Sequence, residues 1–563
     1  MCRIITVLAA LLSVFLANVN ASDPTVINTV NNKFVDTETK KPNILLVVVD
    51  DMGFADLSSF GSEIATPSLD ALANKGVKLS QFITSSVCSP SRASLMTGVS
   101  PHQAGFGNLS EELAPNQEGQ PGYEGYLTND TITVAQRLKD NGYATMMTGK
   151  WHLGKSESAS PFKKGFEQTF AMITNASHFS DMKPAYSPKP NDVAFYRENG
   201  KKLTSLPDNY SYSSQFFVDR LMQQISTKDK NKPFFAMLAF SAPHWPIQAP
   251  DKAIAKFKGK YDIGYDVIAK ARLSKQKSLG LITANAKLAP RPPLGQPWND
   301  LSATDKKVQA RGMEIYAAMI SEVDKHTGRL FDYLKTTGQF DNTVVIFISD
   351  NGPEGHTLDE TWSKAQFPKI RAVIDQSFDF SYQQMGRVNS YNFYGPNWAW
   401  ASSPAFNGHK AFQTEGGIRT AAFVYSHKLF PKGVVNNEMI TIRDIPATIL
   451  DIANVKVTES KIFKKMTGES MLSVLQGKST VGERVHVEET IGKISVRKGS
   501  WKLVKTQPSF NEDNWSLFYL GDDLAESTNV AKKQPKKMQE LIAYWEEYKQ
   551  ENSVIIPNWN SGY

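Results

Sequence analysis

The chain has 563 residues, enough for one large domain and a smaller one. Charged residues make up 21% and hydrophobic residues 41%, which excludes a disordered or collagen-like chain. A net charge of +7 suits anionic substrates, but Lys and Arg are scattered, with no basic stripe and interleaved aromatics to support nucleic acid as a partner.

At the N-terminus, Arg3 precedes an apolar stretch, Ile4 to Ala17, and Val19-Asn20-Ala21 offers a cleavage site before Ser22. Residues 1–21 therefore read as a signal peptide and 22–41 as a polar lead-in. The apolar stretch is short for a membrane span, and no membrane association is expected after cleavage. Cys2 lies ahead of that stretch, which argues against a lipoprotein anchor. Cys88 is then the only cysteine of the mature chain. An exported chain of this size without disulfides points to a bacterial periplasmic or secreted protein.

Asn43 to Val49 is a continuous apolar, mostly β-branched run, the mark of a strand covered on both faces. Similar runs recur at Tyr143–Met147, Phe234–Phe240, Thr343–Ile348 and Ala421–Tyr425. Helical periodicity lies between them, at Ile132–Asp140 and Asp305–Leu334. This alternation predicts an α/β fold, with a large, mostly parallel (mixed) sheet flanked by helices. Two stretches break the alternation. Residues 248–302 are rich in Lys, Pro and Gly and are expected to wrap the surface. Residues 376–406 are rich in aromatics, which suits either a substrate mouth or a loop packed on the domain.

From about residue 480 short strands take over: Arg484–Glu488, Ile494–Arg497, Trp501–Lys505 and Leu517–Leu520, with Lys498-Gly499-Ser500 as a hairpin turn. A helix is expected over Pro535–Lys549. The expected organisation is a catalytic domain over 42–479 and a smaller antiparallel sheet with a helix over 480–563.

In an open parallel sheet, ligands bind at the carboxyl ends of strands. Four candidate strands deliver polar residues there: Asp50-Asp51, Lys150-Trp151-His152, His244 within Ala242-Pro243-His244, and Asp350-Asn351. Asp50, Asp51, Asp350 and Asn351 form an all-oxygen set that suits a hard divalent ion, Ca²⁺ or Mg²⁺. Three carboxylates without a counter-ion would repel one another.

Cys88 opens Cys88-Ser89-Pro90-Ser91-Arg92, followed by Ala93-Ser94-Leu95-Met96-Thr97-Gly98. Pro90 suits the first position of a helix, which places residue 88 at the helix N-terminus with Arg92 one turn on. By geometry alone, the thiol is either buried and inert or present for chemistry.

The pentapeptide resembles the signature of type I sulfatases of the alkaline-phosphatase superfamily. Further matches are Gly149-Lys150-Trp151-His152, Ala242-Pro243-His244 and Thr414-Glu415-Gly416-Gly417-Ile418-Arg419, which follows Lys410. Met313–Ile320 and Tyr394–Ala399 are similar to the long bacterial arylsulfatases, and Leu517–Leu520 with Glu526–Val530 to sulfatase C-terminal subdomains. The resemblance implies a sulfuric ester hydrolase in which a maturation enzyme oxidises Cys88 to Cα-formylglycine. It implies one Ca²⁺ (Mg²⁺ as alternative) on Asp50, Asp51, Asp350, Asn351 and residue 88. In that scheme Arg92, Lys150 and Lys410 neutralise the sulfuryl oxygens, His244 protonates the departing alcohol, and His152 takes the proton whose loss releases sulfate. The substrate would be a small-molecule or carbohydrate sulfate ester. Rival readings are a phosphonate monoester or phosphodiester hydrolase, a polysaccharide sulfatase, and a non-catalytic polysaccharide binder. The other histidines receive no role, except His356 and His409 as candidate substrate contacts.

Overall fold

The computed structural model describes residues 40–457, 461–506 and 514–559; the expected signal peptide and nearly all of the lead-in lie outside the described residues. The strand Asn43–Val49 is buried at every position. Its alternate residues enter two different cores. Leu45, Val47 and Val49 face one, while Ile44, Leu46 and Val48 face the other. A strand that must bury both faces cannot alternate apolar with polar, which is why its sequence is a continuous run.

Ten strands form the main sheet. Its five central members run parallel, in the order Thr343–Ser349, Asn43–Val49, Phe234–Ala239, Ala144–Lys150, Gln168–Met172. Ala422–Tyr425 pairs antiparallel with Thr343–Ser349. Helices Ser213–Thr227 and Ala303–Thr336 contribute to the first core. Helices Cys88–Thr97, Val134–Asp140 and Asp444–Ile452 contribute to the second. The long helix starts where Ser302 accepts the Asp305 N–H, a side-chain cap that sets its first turn.

Two expectations are corrected. The stretch 248–302 does not merely wrap the surface. It contains the helix Tyr265–Ser278, whose Ile268, Ala269, Arg272 and Leu273 are buried. Arg272 there binds buried Asp56 at 2.7 Å and the more exposed Glu63 at 2.8 Å, so a paired arginine interrupts the long apolar stripe that marks a core helix in sequence. Pro90 is not at the first helical position either. The helix begins at Cys88, and Pro90 falls within its first turn. A missing N–H costs nothing there, because the first turn has no intrahelical acceptors for its donors.

The aromatic stretch 376–406 divides. Trp398 and Trp400 enter the first core. Tyr391, with Phe378 and Phe393 packed beside it, joins a separate cluster with Trp245 and Trp362.

The second sheet comprises Val485–Thr490, Lys493–Lys498, Trp501–Lys505 and Ser516–Tyr519, antiparallel throughout. The helix Pro535–Glu551 covers it through Leu541, Trp545 and Tyr548. A buried lysine is one of the side chains by which this sheet grips the main domain. Lys502 Nζ lies 2.9 Å from Glu415 Oε1 and 3.0 Å from Glu526 Oε1, with all three side chains fully buried. Removing the lysine leaves buried Glu526 with no ion pair among the described residues and Glu415 with only Arg419 and Arg497, at 3.3 and 3.5 Å. Lys502→Met is therefore expected to lower stability by about 3–5 kcal/mol in urea unfolding.

Candidate active site

The carboxyl ends of the parallel strands meet in one buried pocket, and backbone hydrogen bonds stitch their loops together. The Asp50 N–H donates to Ala242 O, the Asp350 N–H to Val49 O, the Lys410 N–H to Pro353 O and the Ala411 N–H to Ser86 O, at 2.7–3.2 Å. Asp51, His152 and Ala411 take left-handed backbone angles (φ 64°, 58° and 66°), which non-glycine residues adopt at a cost. Gly149, at φ 106°, permits the closest approach. A Cβ there would lie 1.8 Å from Ala239 O, so only glycine keeps the strand paired up to Lys150.

All the candidate residues converge here, and all are buried: Asp50, Asp51, Cys88, Arg92, Lys150, His152, His244, Asp350, Asn351 and Lys410. Three cations answer three carboxylates. Lys150 Nζ donates to both oxygens of Asp50, at 2.9 and 2.7 Å. Arg92 Nε donates to Asp350 Oδ2 at 2.7 Å, and Nη1 to the Lys150 carbonyl at 2.7 Å. Lys410 Nζ donates to Asp51 Oδ2 at 2.9 Å. Burial pushes the Asp51 carboxyl up against the pull of Lys410, and that of Asp350 up against the pull of Arg92.

Among the three acids, their cations and Asn351, two buried polar atoms make no hydrogen bond within the described residues: Asn351 Oδ1, and Arg92 Nη2, which lies 3.6 Å from Asp50 Oδ1. Asn351 Nδ2 donates to Asp51 Oδ1 (2.7 Å) and to the Gly352 carbonyl (2.8 Å), which leaves the amide oxygen as a bare acceptor beside the acids. An orphaned oxygen next to Asp50, Asp51 and Asp350 fits a hard cation, and these three acids bring ligand atoms within 4.8 Å of one another. The group can hold a metal ion.

Glu354, His356 and His409 bring ligand atoms equally close. There, however, Glu354 Oε2 already serves Lys410 Nζ (3.2 Å) and Trp245 Nε1 (3.2 Å), and Oε1 serves His356 Nδ1 (2.7 Å). A cation at that place would face the Lys410 ammonium. Burial disfavours the Glu354 carboxylate, yet Lys410 and His356 hold it below the usual range. This group is better described as the support of Lys410.

Cys88 is the first residue of its helix, 1% exposed, with Sγ 3.5 Å from His152 Nδ1. Burial pushes its thiol up to about 12, so an unmodified Cys88 is not a thiolate at neutral pH. His244 donates from Nδ1 to the Trp245 carbonyl at 2.5 Å. Its Nε2 lies 3.1 Å from Asn175 Nδ2 and 3.2 Å from Lys410 Nζ. Burial, then Lys410 and Lys150, hold its pKa well below the ordinary value, so the ring is neutral.

Sequence reasoning missed Asn175, Glu111 and Glu354. Glu354 follows Asn351 by three residues and was open to inspection by proximity. Asn175 and Glu111 lie in loops with no periodicity to mark them. Of the remaining histidines, His102 binds Glu489, His326 binds Glu322, and His178 bonds to the His244 carbonyl.

Asn351→Ala deletes the orphaned acceptor together with the amide's donations to Asp51 and Gly352. It is expected to weaken binding of an added hard divalent cation roughly tenfold or more, read by isothermal titration, with the far-ultraviolet circular dichroism unchanged.

The sulfatase family model matches residues 42–455. The chain is 38% identical over 537 residues to an uncharacterised sulfatase of Schizosaccharomyces pombe, spanning 92% of this chain and 95% of that one. It is 36% identical over 446 residues to the arylsulfatase of Klebsiella aerogenes, spanning 78% and 93%. The crystal structure of Ps i-CgsB in complex with k-i-k-neocarrahexaose shares the fold, with a TM-score of 0.63 and 23% identity over 92% of this chain and 95% of that chain. A fission yeast and a bacterium both supply close relatives, so kinship does not select the bacterial source expected above. The family match over most of the chain, together with the convergent site, leads to one conclusion: this protein belongs to the sulfatase family, the enzymes that hydrolyse sulfate esters.

Proposed function

We propose that the protein is an exported, arylsulfatase-type enzyme. In this reading residue 88 works as Cα-formylglycine, and one Ca²⁺ is held by Asp50, Asp51, Asp350, Asn351 and residue 88. The catalytic domain spans 42–479 and the C-terminal subdomain 480–563. The leader at 1–21 supports export, and no helix of the described residues is long and apolar enough to cross a membrane. The observation that carries the reading is the bare Asn351 oxygen beside three buried acids, facing the N-terminus of the Cys88 helix.

Lys150, Arg92 and Lys410 each answer one of the three aspartates, and Glu354 adds a fourth carboxylate on Lys410. A divalent ion on the aspartates would free these cations to face an anionic ester. The ion supplies a Lewis acid and orients the ester. The aldehyde hydrate supplies a nucleophilic oxygen and a second hydroxyl whose deprotonation frees the sulfate.

The chain's own residues do the rest. Arg92 Nη2, a buried donor that makes no hydrogen bond and lies 3.6 Å from Asp50, is placed to bind a sulfuryl oxygen, with Lys150 and Lys410 as the other cations. His152 Nδ1 faces residue 88 and takes the proton of the second hydroxyl. Burial, Lys410 and Lys150 disfavour the charged form of His244, and Lys410, 3.2 Å away, is placed to pass it the proton that it gives to the departing alcohol. That refines the histidine's role to one half of a Lys410–His244 pair.

Trp245 packs with Trp362, Tyr391 and Tyr186 beside His244, which favours an alcohol bearing a ring, as in aryl sulfates. A second reading is a sulfated sugar. It is favoured by a cavity of about 570 Å³ at His152, lined by Ser110, Glu124, Asn129 and Lys155.

The test is mass spectrometry of the peptide containing residue 88, followed by kinetics on matched aryl sulfate, aryl phosphonate and sulfated sugar esters. An aldehyde at residue 88 and a kcat/KM highest for the aryl sulfate are expected. Cys88→Ala is expected to abolish turnover, and His152→Ala to lower kcat by roughly 10²–10⁴-fold. An intact thiol in fully active protein would overturn the reading, and so would a clear preference for the phosphonate.

A further inference from the structure

His152 has two ring nitrogens and two neighbours. Nδ1 points at residue 88, with Sγ at 3.5 Å. Nε2 lies 2.9 Å from Glu111 Oε1. A carboxylate only accepts, so a neutral His152 must carry its proton on Nε2, which leaves the Nδ1 lone pair aimed at residue 88. Glu111 is itself clamped. Tyr186 OH donates to Oε1 at 2.6 Å and Ser110 Oγ to Oε2 at 2.6 Å. Both carboxylate oxygens are therefore fixed, and so is the plane in which the imidazole lies. The clamp joins three segments: Glu111 arrives after the Cys88 helix, Tyr186 after the strand Gln168–Met172, and His152 after the strand Ala144–Lys150. The left-handed backbone at His152 (φ 58°) turns the ring out of the line of its strand and into this slot.

We propose that Glu111 is a positioning residue of the sulfatase reaction: it holds His152 in the Nε2–H tautomer, so that Nδ1 always presents a lone pair to residue 88, with Tyr186 and Ser110 holding the carboxylate. The proposal rests on the reading above that His152 serves residue 88. Without Glu111 the ring proton has no fixed home. Part of the protein would then carry Nδ1–H, which cannot accept a proton from residue 88. The carboxylate also balances the imidazolium formed once Nδ1 has taken a proton, the service a buried acid gives a histidine base in a catalytic triad. Glu111 touches neither the ester nor the metal ligands, so its loss acts on kcat and leaves KM nearly unchanged.

The test has two arms. In the full-length protein with unmodified Cys88, the ring nitrogens of ¹⁵N-histidine are read by NMR at a pH where His152 is neutral, with His152→Gln to assign its signals. Wild type is expected to show the Nε2–H tautomer alone, and Glu111→Ala a mixture. Nδ1–H in wild type, or an unmixed Nε2–H form in Glu111→Ala, overturns the proposal. In the mature enzyme, Glu111→Ala is expected to lose roughly 10²-fold or more in kcat, with KM within a few fold and partial recovery in added formate. Glu111→Gln, which keeps the shape and loses the charge, is expected to lose less, and unchanged kcat in either variant sinks the idea. Tyr186→Phe is expected to give a smaller loss of the same kind. If wild-type protein proves to lack the aldehyde or sulfate-ester hydrolysis, the functional reading fails, while the NMR arm still decides the tautomer.

Discussion

Three buried carboxylates forced into one pocket are the constraint on which the rest of this structure depends. Asp50, Asp51 and Asp350 sit at the ends of adjacent strands, where the backbone fixes them and no water screens them. Left alone they would repel and protonate. The fold answers each with a cation from a different segment: Lys150 from the neighbouring strand region, Arg92 from the helix that starts at Cys88, and Lys410 from the loop before Ala422–Tyr425. In the proposed reading a divalent ion would take the carboxylates and leave these cations to an anionic ester, so that one arrangement would serve both the fold and the chemistry.

Holding that arrangement requires rigidity at places where chains are usually loose. The strand-end loops donate backbone hydrogen bonds to one another, so no loop can move without breaking a neighbour's bond. Three non-glycine residues in left-handed backbone are tolerated because the surrounding packing leaves them no alternative. The C-terminal sheet contributes at a distance. Lys502 anchors Glu415, which begins the short helix after Lys410. The smaller sheet thereby braces the segment that delivers one of the three cations.

Most of the framework was legible in the residues themselves. Runs such as Asn43–Val49 and Thr343–Ile348 announce strands covered on both sides, and the strand Trp501–Lys505 matches its expected bounds. The Lys150 strand was harder. It continues past Met147 through Thr148 and Gly149, because a glycine that tolerates an adjoining carbonyl can stay paired where composition suggests a turn. The helix Tyr265–Ser278 was not legible, since its buried face includes Arg272, whose burial depends on Asp56 and Glu63 about two hundred residues earlier. The aromatic stretch 376–406 offered two readings, and the fold uses both, Trp398 in the core and Tyr391 against Trp245.

By itself, the sequence pointed to the side chains that lie next to a recognisable strand end or helix start, such as Asp50, Asp51, Cys88, Asp350 and Asn351, because those are local properties of hydrophobic run and cap. It also determined the family, through Cys88-Ser89-Pro90-Ser91-Arg92 and its distant companions. Only the tertiary structure decided which cation meets which carboxylate, that Asn351 keeps a bare oxygen, that His244 is neutral, and that Glu111 stands behind His152. Those facts depend on burial and on distances between segments far apart in the chain. Neither quantity is encoded in any short stretch of residues, because desolvation and Coulomb attraction act through space rather than along the backbone.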